Sequence, residues 1–448
     1  MSFLLEEFNK LMDQQWKFLY KEWPQIKPSK YHRSDTKPVN KISHIKDIVL
    51  QRLGIIPVFF FLVVVFATQD YPGPYRNVEK GLLILYQLLQ GYSLNEMSAF
   101  IPKSSYYDIF RKFYQNQGND IDKRISGMLC SMFSTINIRI HSAQKSPPLF
   151  RHVTLMIDGH DTRVTLIGEK SEQMYSYKLK KSGLRIQVCI DINGMVLFTS
   201  KSVPCKDNTD GVMFGKMKLE KYIDKLDCVA LDGGYTQYLT KITSNTDLDM
   251  LNFCVPICKS KGVDLSDDEK TFNKSFGSFR SKIEATFGEL VTTFKKLSNE
   301  GGIRVSDDEV FTVQFRLACL LLNVKKFVNL GNIQPQPHHS SWLSPEFDYW
   351  KEENLETYEN LPSLKDSRGN AQELLKLQRE FLNISLDDDE EMEGIYEIDE
   401  IIDHRGKGKS REYLVKWKGY EDRTWQSIKT FDTTDCIDKY WQQKEAEV

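Results

Sequence analysis

Three acidic side chains of this 448-residue chain stand where they can do chemistry. Asp158 follows the apolar positions Val153, Leu155 and Ile157 and precedes Gly159, which predicts a short strand ending on an acid. A carboxylate beside a glycine at a strand end is a common way to offer a metal ligand at a sheet edge. Asp232 closes a second apolar run, CVALD, ahead of two glycines. Glu284 lies within FRSKIEATFGEL, an amphipathic helical pattern. One acid at a strand end is ordinarily mere surface. Three such acids, brought together by the fold, can hold two divalent ions, the device for phosphoryl transfer on nucleic acid.

Helical spacing selects among the acids of that last segment. Ile283, Phe287, Leu290, Val291 and Phe294 form one apolar stripe facing the sheet. At about 100° per residue, Glu284 lies roughly 75° from the stripe's centre and Glu289 roughly 145° away, on the solvent side. Glu284 is therefore the acid that can lean towards Asp158 and Asp232. Arg280, one turn before Glu284 on the same side, is placed to pair with it or with a phosphate. Asp161 competes with Asp158 as the first acid. A continued strand puts it on the opposite face; a turn at Gly159 brings it back.

The elements that must position these acids are legible in part. From Val153 the texture is that of strands. LRIQVCID (184–191) and MVLFTSKSV (195–203) form a hairpin across Asn193-Gly194, which supply positive φ, with Ile186, Val188 and Ile190 on one face. A helix is expected over 209–226, strands at CVALD and NFCVPI with a helix between, a charged loop over 258–275, a long helix over about 277–298 and a last helix up to Phe327. This order predicts a mixed α/β sheet with helices on its faces.

Ahead of the sheet the chain reads as helical: a helix over 2–22, a Pro- and Lys-rich connector to 46, then two or three short helices over 77–115. Gly91 ends the first of these, Ser93-x-x-Glu96 is a capping box for the second, and Ser104 can cap the third. Helix, tight turn, helix is the plan of a helix-turn-helix. Its candidate DNA contacts are Lys103, Ser105, Tyr106, Arg111 and Lys112. Helix continues over 119–142. IIPVFFFLVVVFAT (55–68) is too short to span a bilayer and contains Pro57, so it reads as a buried element, and no membrane is expected.

The formal net charge of −2 conceals an asymmetry. Residues 331–448 carry 15 Lys+Arg against 27 Asp+Glu, a balance of −12 that leaves +10 on residues 1–330. A basic front part suits a polyanion such as DNA. The eight cysteines are scattered and make no tetrahedral zinc set; they read as reduced thiols of an intracellular protein.

In series, IDG, YSYKLKKSGLRIQVCIDING, LDGGY and FNKSFGSFRSKIEATFGEL resemble Harbinger/PIF-type DDE transposases over about 77–328. The resemblance implies a ribonuclease H-like core, two Mg²⁺ ions with Mn²⁺ as substitute, and cleavage then strand transfer at transposon ends. Carried over, the triad falls on Asp158, Asp232 and Glu284. Asp210, where the family often has a helix-starting acid, reads as a cap. Lys178, Lys180, Lys181 and Arg280 are candidates to hold backbone phosphates. Tyr177 and His160 depart from the family's pattern without removing a ligand. Such proteins often work with a Myb-like DNA-binding partner and as homo-oligomers.

The tail carries a different signature. YEIDEIID, EYLVKWKGY and a T-W pair predict three short strands, with IDKYWQQK as a closing helix, after the acidic block LDDDEEMEGIYEIDE. This closely resembles a chromodomain. The resemblance implies binding of methylated lysine on a histone tail by Tyr396, Trp417 and Tyr420, a cage of π faces suited to a quaternary ammonium. The expected organisation is a helix and basic linker (1–46), a helical region with helix-turn-helix (47–150), a DDE ribonuclease H-like α/β domain (151–330), an acidic linker (331–393) and a chromodomain of three strands plus a helix (394–448). The expected protein is a nuclear, metal-dependent DNA transposase. The alternative is a domesticated, catalytically silent descendant that binds DNA and chromatin.

Overall fold

The computed structural model describes residues 2–21, 38–67, 71–116, 118–165, 174–206, 208–259, 264–299, 308–344, 347, 398–406, 411–417, 423–427 and several of 437–444. Two compact units result, Met1–Ser367 and Arg368–Val448.

The first unit opens with helices. α1 (Ser2–Lys21) buries Leu4, Phe8 and Met12, spaced four apart on one face. α2 (Ile42–Leu53) turns at Gly54 into α3 (Ile55–Phe60), which continues as a π-helical stretch, Phe61–Phe66. Every residue from Ile56 to Ala67 is buried, so the apolar run is the core of this region, as expected. Phe8 stacks on Phe60 at 5.6 Å and meets Phe327 edge-on at 5.4 Å. Among the described residues no single helix is long and apolar enough to cross a membrane.

α4 (Asn77–Gln90) ends at Gly91 in the left-handed region, as its sequence predicts. The Ser93–Glu96 capping box forms, with Ser93 N–H donating to Glu96 at 2.6 Å, but it heads only a 3₁₀ turn, Glu96–Ala99. α5 (Lys103–Arg111) starts one residue before Ser104, with Pro102 at the cap position and no side-chain cap. Ser104 therefore does not cap it. The expected helix over 119–142 is two helices, α6 (Gly118–Ser131) and α7 (Ile136–Ala143), the second capped by Thr135.

The sheet follows: β1 (Leu155–Arg163), β2 (Tyr175–Ser176), β3 (Lys181–Asp191), β4 (Val196–Thr199) and β5 (Val203–Pro204), then α8 (Asp210–Met217), β6 (Val229–Ala230), α9 (Thr236–Thr243) and β7 (Phe253–Cys254). The strand order is β2-β3-β1-β6-β7, with β4 and β5 also on β3. β1 pairs antiparallel with β3 and parallel with β6, which pairs parallel with β7. α10 (Asp267–Thr293) and α11 (Asp308–Leu330) complete a mixed α/β fold with helices on the sheet. α10 begins ten residues before the expected start, because Ser266 and Glu269 form a capping box. At the β3–β4 turn only Gly194 takes positive φ (76°), not Asn193; Asp191 instead accepts the N–H groups of Asn193 and Met195. After α11 the 3₁₀ segment Pro337–Leu343 packs against α3 and buries Trp342.

The second unit is a three-stranded antiparallel sheet, β8 (Ile398–Arg405), β9 (Glu412–Trp417) and β10 (Arg423–Ser427), in the order β10-β9-β8. Ile401, Tyr413, Val415, Ile437 and Tyr440 form its core.

Candidate active site

β1 does not stop at Asp158. It runs on to Arg163, because β3 pairs alongside it residue for residue from Leu155↔Asp191 to Arg163↔Gly183. The Asp-Gly pair that reads as a strand end is therefore mid-strand. Alternation then sends neighbouring side chains to opposite faces. His160 sits against Phe287 of α10 (4.9 Å) and Phe315 of α11 (5.7 Å), and Asp158 shares that face. Asp161 points the other way, across to Arg185, its register partner.

Asp161 is locked there. Arg185 donates to it from Nε at 2.6 Å and from Nη2 at 2.8 Å, and Ser176 donates at 2.5 Å. Burial alone would push this carboxyl up, but the bonds from Arg185 and Ser176 bring it below its ordinary range. Asp210 joins the same group. It is the first residue of α8 rather than its cap, a role Thr209 fills through Val212 N–H. Its Oδ1 lies 3.4 Å from Arg185 Nη1 and makes no hydrogen bond. It presses on Gly159: a Cβ there would come within 2.3 Å of that oxygen. With a larger residue at 159 the Asp210 carboxylate would have to move away. Sequence reasoning missed this role, since no local pattern shows which way an N1 acid leans.

Asp158 is free of such locks. Its Oδ1 accepts the Gly159 N–H at 2.8 Å, and its Oδ2 lies 3.6 Å from Arg280 Nη2. Burial raises its pKa, and the Arg280 charge works against that rise. Asp232 caps the 3₁₀ turn Gly233–Tyr235 by accepting the Gly234 N–H at 2.7 Å, and its Oδ2 lies 3.9 Å from Arg280 Nη1. One guanidinium on α10 thus faces both carboxylates. Arg280 is largely buried, at 14% side-chain exposure, and neither its Nε nor its Nη2 makes a hydrogen bond.

Glu284, one turn further along α10, is exposed. Glu289 is not on the solvent side as helical angles from the stripe suggested. It is half-buried and lies 3.1 Å from Lys326 Nζ of α11, which covers that flank. Among the described residues, Asp13, His338 and His339 form a set whose possible ligand atoms all lie within 4.8 Å of one another; Asp158, Asp232 and Glu284 do not. His339 Nδ1 accepts the Gln336 N–H at 3.0 Å, which places the neutral ring's proton on Nε2 and leaves that nitrogen no lone pair for a cation.

The basic candidates divide by position. Lys178 reaches the Gly159 carbonyl at 3.5 Å, beside Asp158; Lys180, on the same turn, and Lys181, at the start of β3, are exposed. On α5, Lys103 and Arg111 are exposed and Ser105 half-buried; Lys112, in the π-helical turn that follows, is half-buried and lies over the Tyr71 ring at 5.9 Å. Tyr106 is wholly buried and donates to Gln87 at 2.9 Å, so it is core and not a DNA contact. Tyr396 and Tyr420, and the side chain of Trp417, lie outside the described residues.

The DDE superfamily endonuclease family matches residues 157–323, a span that holds Asp158, Asp232, Arg280 and Glu284. The Chromo (chromatin organisation modifier) domain family matches residues 396–443. A DDE superfamily endonuclease domain and a C-terminal chromodomain are thus both found in the chain. Chromatin-associated protein SWI6 of Cryptococcus neoformans var. grubii serotype A is 39% identical over 61 residues, 13% of this chain and 28% of that protein. The chain therefore spans less than a third of that relative's length. No solved structure matches it.

Proposed function

We propose that this chain is a transposase-derived chromatin protein of Harbinger/PIF type that cuts and joins DNA through divalent ions on Asp158, Asp232 and Glu284, in a ribonuclease H-like core. The observation that carries the reading is the convergence of Asp158 on β1 and Asp232, just past the end of β6, on one guanidinium. Hard carboxylate oxygens are the donors Mg²⁺ takes, and a site that already draws a cation between two acids suits that chemistry. Bound there, the ions would polarise the scissile phosphate and activate a water.

The chain's own residues do the rest. Asp158 and Asp232 hold negative charge where positive charge is to be bound. Lys178, with Lys180 and Lys181, lies where a DNA strand's phosphates would pass. Asp161, tied by Arg185 and Ser176, stays outside the ligand set and stiffens the strand beneath it. Lys103, Ser105 and Arg111 on α5, with Lys112 just after it, form a second DNA contact. The chromodomain holds a methylated histone lysine with Tyr396, Trp417 and Tyr420, and the protein works in the nucleus, as a homo-oligomer and with a Myb-like partner.

That Glu284 forms no common ligand set with Asp158 and Asp232 favours the second reading, a silent descendant that keeps only chromatin and DNA binding. Nicking of terminal-repeat DNA with Mg²⁺ or Mn²⁺ separates the two. The enzyme reading expects nicking by the native chain and a loss of at least about a hundredfold in Asp232→Ala. Nicking that survives this change sinks the ligand assignment. For the tail, titration with unmodified and trimethylated histone peptides should show tighter binding of the methylated one; equal affinity rejects the cage.

A further inference from the structure

Arg280 faces two carboxylates, yet two of its donor nitrogens, Nε and Nη2, make no hydrogen bond. Its distances to Asp158 and Asp232, 3.6 and 3.9 Å, are longer than hydrogen bonds. The attraction is electrostatic, and the donors Nε and Nη2 remain unused although buried. A buried donor without a partner is costly, so this arrangement is a resting position. The guanidinium is a planar fork matched to a phosphate as well as to a carboxylate.

We infer that Arg280 exchanges between the two carboxylates and a DNA phosphate, and so makes ion loading depend on DNA. The inference rests on the reading of Asp158 and Asp232 as ion ligands. Without DNA, the guanidinium sits between these carboxylates and competes with divalent ions for them. Two divalent ions at the same oxygens would repel it. A phosphate that accepts from Nε and Nη2 draws it off, satisfies both donors and frees the carboxylates. Lys178, beside the Gly159 carbonyl, adds positive charge on the side from which a phosphate would approach. Linkage then requires the reverse as well: bound ions must tighten DNA binding by the same factor.

Mn²⁺ titration of the full chain, followed by electron paramagnetic resonance of the free ion, tests this without any turnover. The probe DNA is a mixed-sequence duplex, its own Mn²⁺ uptake measured separately and subtracted. The native chain should bind Mn²⁺ at least about fivefold more tightly with the duplex than without it. Arg280→Gln should bind Mn²⁺ about fivefold more tightly than the native chain without DNA, and gain little from the duplex. Arg280→Lys keeps the charge but loses the fork; it should bind Mn²⁺ as the native chain does and the duplex more weakly. If Arg280→Gln, with an unchanged thermal midpoint, binds Mn²⁺ no more tightly than the native chain, the inference is overturned. Should Arg280→Gln fail to fold, native duplex affinity in Arg280→Lys overturns it instead. Mn²⁺ binding that is unchanged in both Asp158→Asn and Asp232→Asn overturns the ligand reading itself, a separate failure.

Discussion

Asp158 and Asp161 occupy one strand and meet opposite surroundings. Alternation along an extended strand favours Asp158 from sequence, but only the pairing of β3 shows that the strand continues past Gly159. Two histidines are also tuned. His160 and His339 are both pushed down to about 4, by burial first and then by a neighbour, Lys178 for His160 and His338 for His339. Their ordinary value is 6.5. Between those values the unfolded chain takes up protons that the folded chain refuses. Stability is therefore full above about pH 6.5 and falls as acid is added, by up to about 1.4 kcal/mol per pH unit for each group. His339→Leu, far from the acids, should lose about 1 kcal/mol less than the native chain between pH 7.5 and 5.5 by urea denaturation. An equal loss in both would place the acid sensitivity elsewhere.

At the scale of elements, the site depends on how the helical region meets the sheet. Arg139 of α7 donates to Asp227 from Nε at 2.9 Å and from Nη2 at 2.6 Å, and Thr154 donates to the same carboxylate at 2.6 Å. Asp227 is the residue before Cys228, whose carbonyl accepts the N–H groups of Thr154 and Leu155. This buried pair therefore sets the entry of β1, which carries Asp158, and of β6, which leads to Asp232. Arg139→Ala leaves Asp227 buried and unpaired, and should destabilise the first unit by about 3–5 kcal/mol. A change under 1 kcal/mol in chemical denaturation would show that the pair is dispensable. No pattern in the sequence pointed to it, because the partners belong to separate elements. The start of α10, by contrast, is present in Ser266-x-x-Glu269, although the acid-rich stretch around it reads as loop.

For the whole molecule, charge is divided between the two parts of the chain, +10 on residues 1–330 and −12 on residues 331–448. If residues 1–330 bind DNA as proposed, the acidic part would compete with DNA for the basic one through long-range fields that salt screens. Removal of residues 368–448 should tighten binding to mixed-sequence duplex several-fold at low salt, with the gain vanishing near 0.5 M salt, where the screening length is only about 4 Å. Fluorescence anisotropy of a labelled duplex reads this directly. No gain at low salt would mean that the acidic part does not reach the DNA-binding surface.

Alternation, the apolar stripes, the Gly91 and Ser93–Glu96 signals and the aromatic strand pattern of the tail are legible in the sequence alone, because each is a short-range rule of backbone geometry. They thereby gave the mixed sheet, the buried apolar run and the acids Asp158, Asp232 and Glu284 as candidates. What only the tertiary structure decided lies between elements: the length of β1, the capture of Asp161 by Arg185, the lean of Asp210 onto Gly159, the pairing of Glu289 with Lys326, and the place of Arg280 between two carboxylates. Those contacts join residues far apart along the chain. Their energies depend on burial and on the charge of a neighbour, and neither quantity exists until the chain has folded.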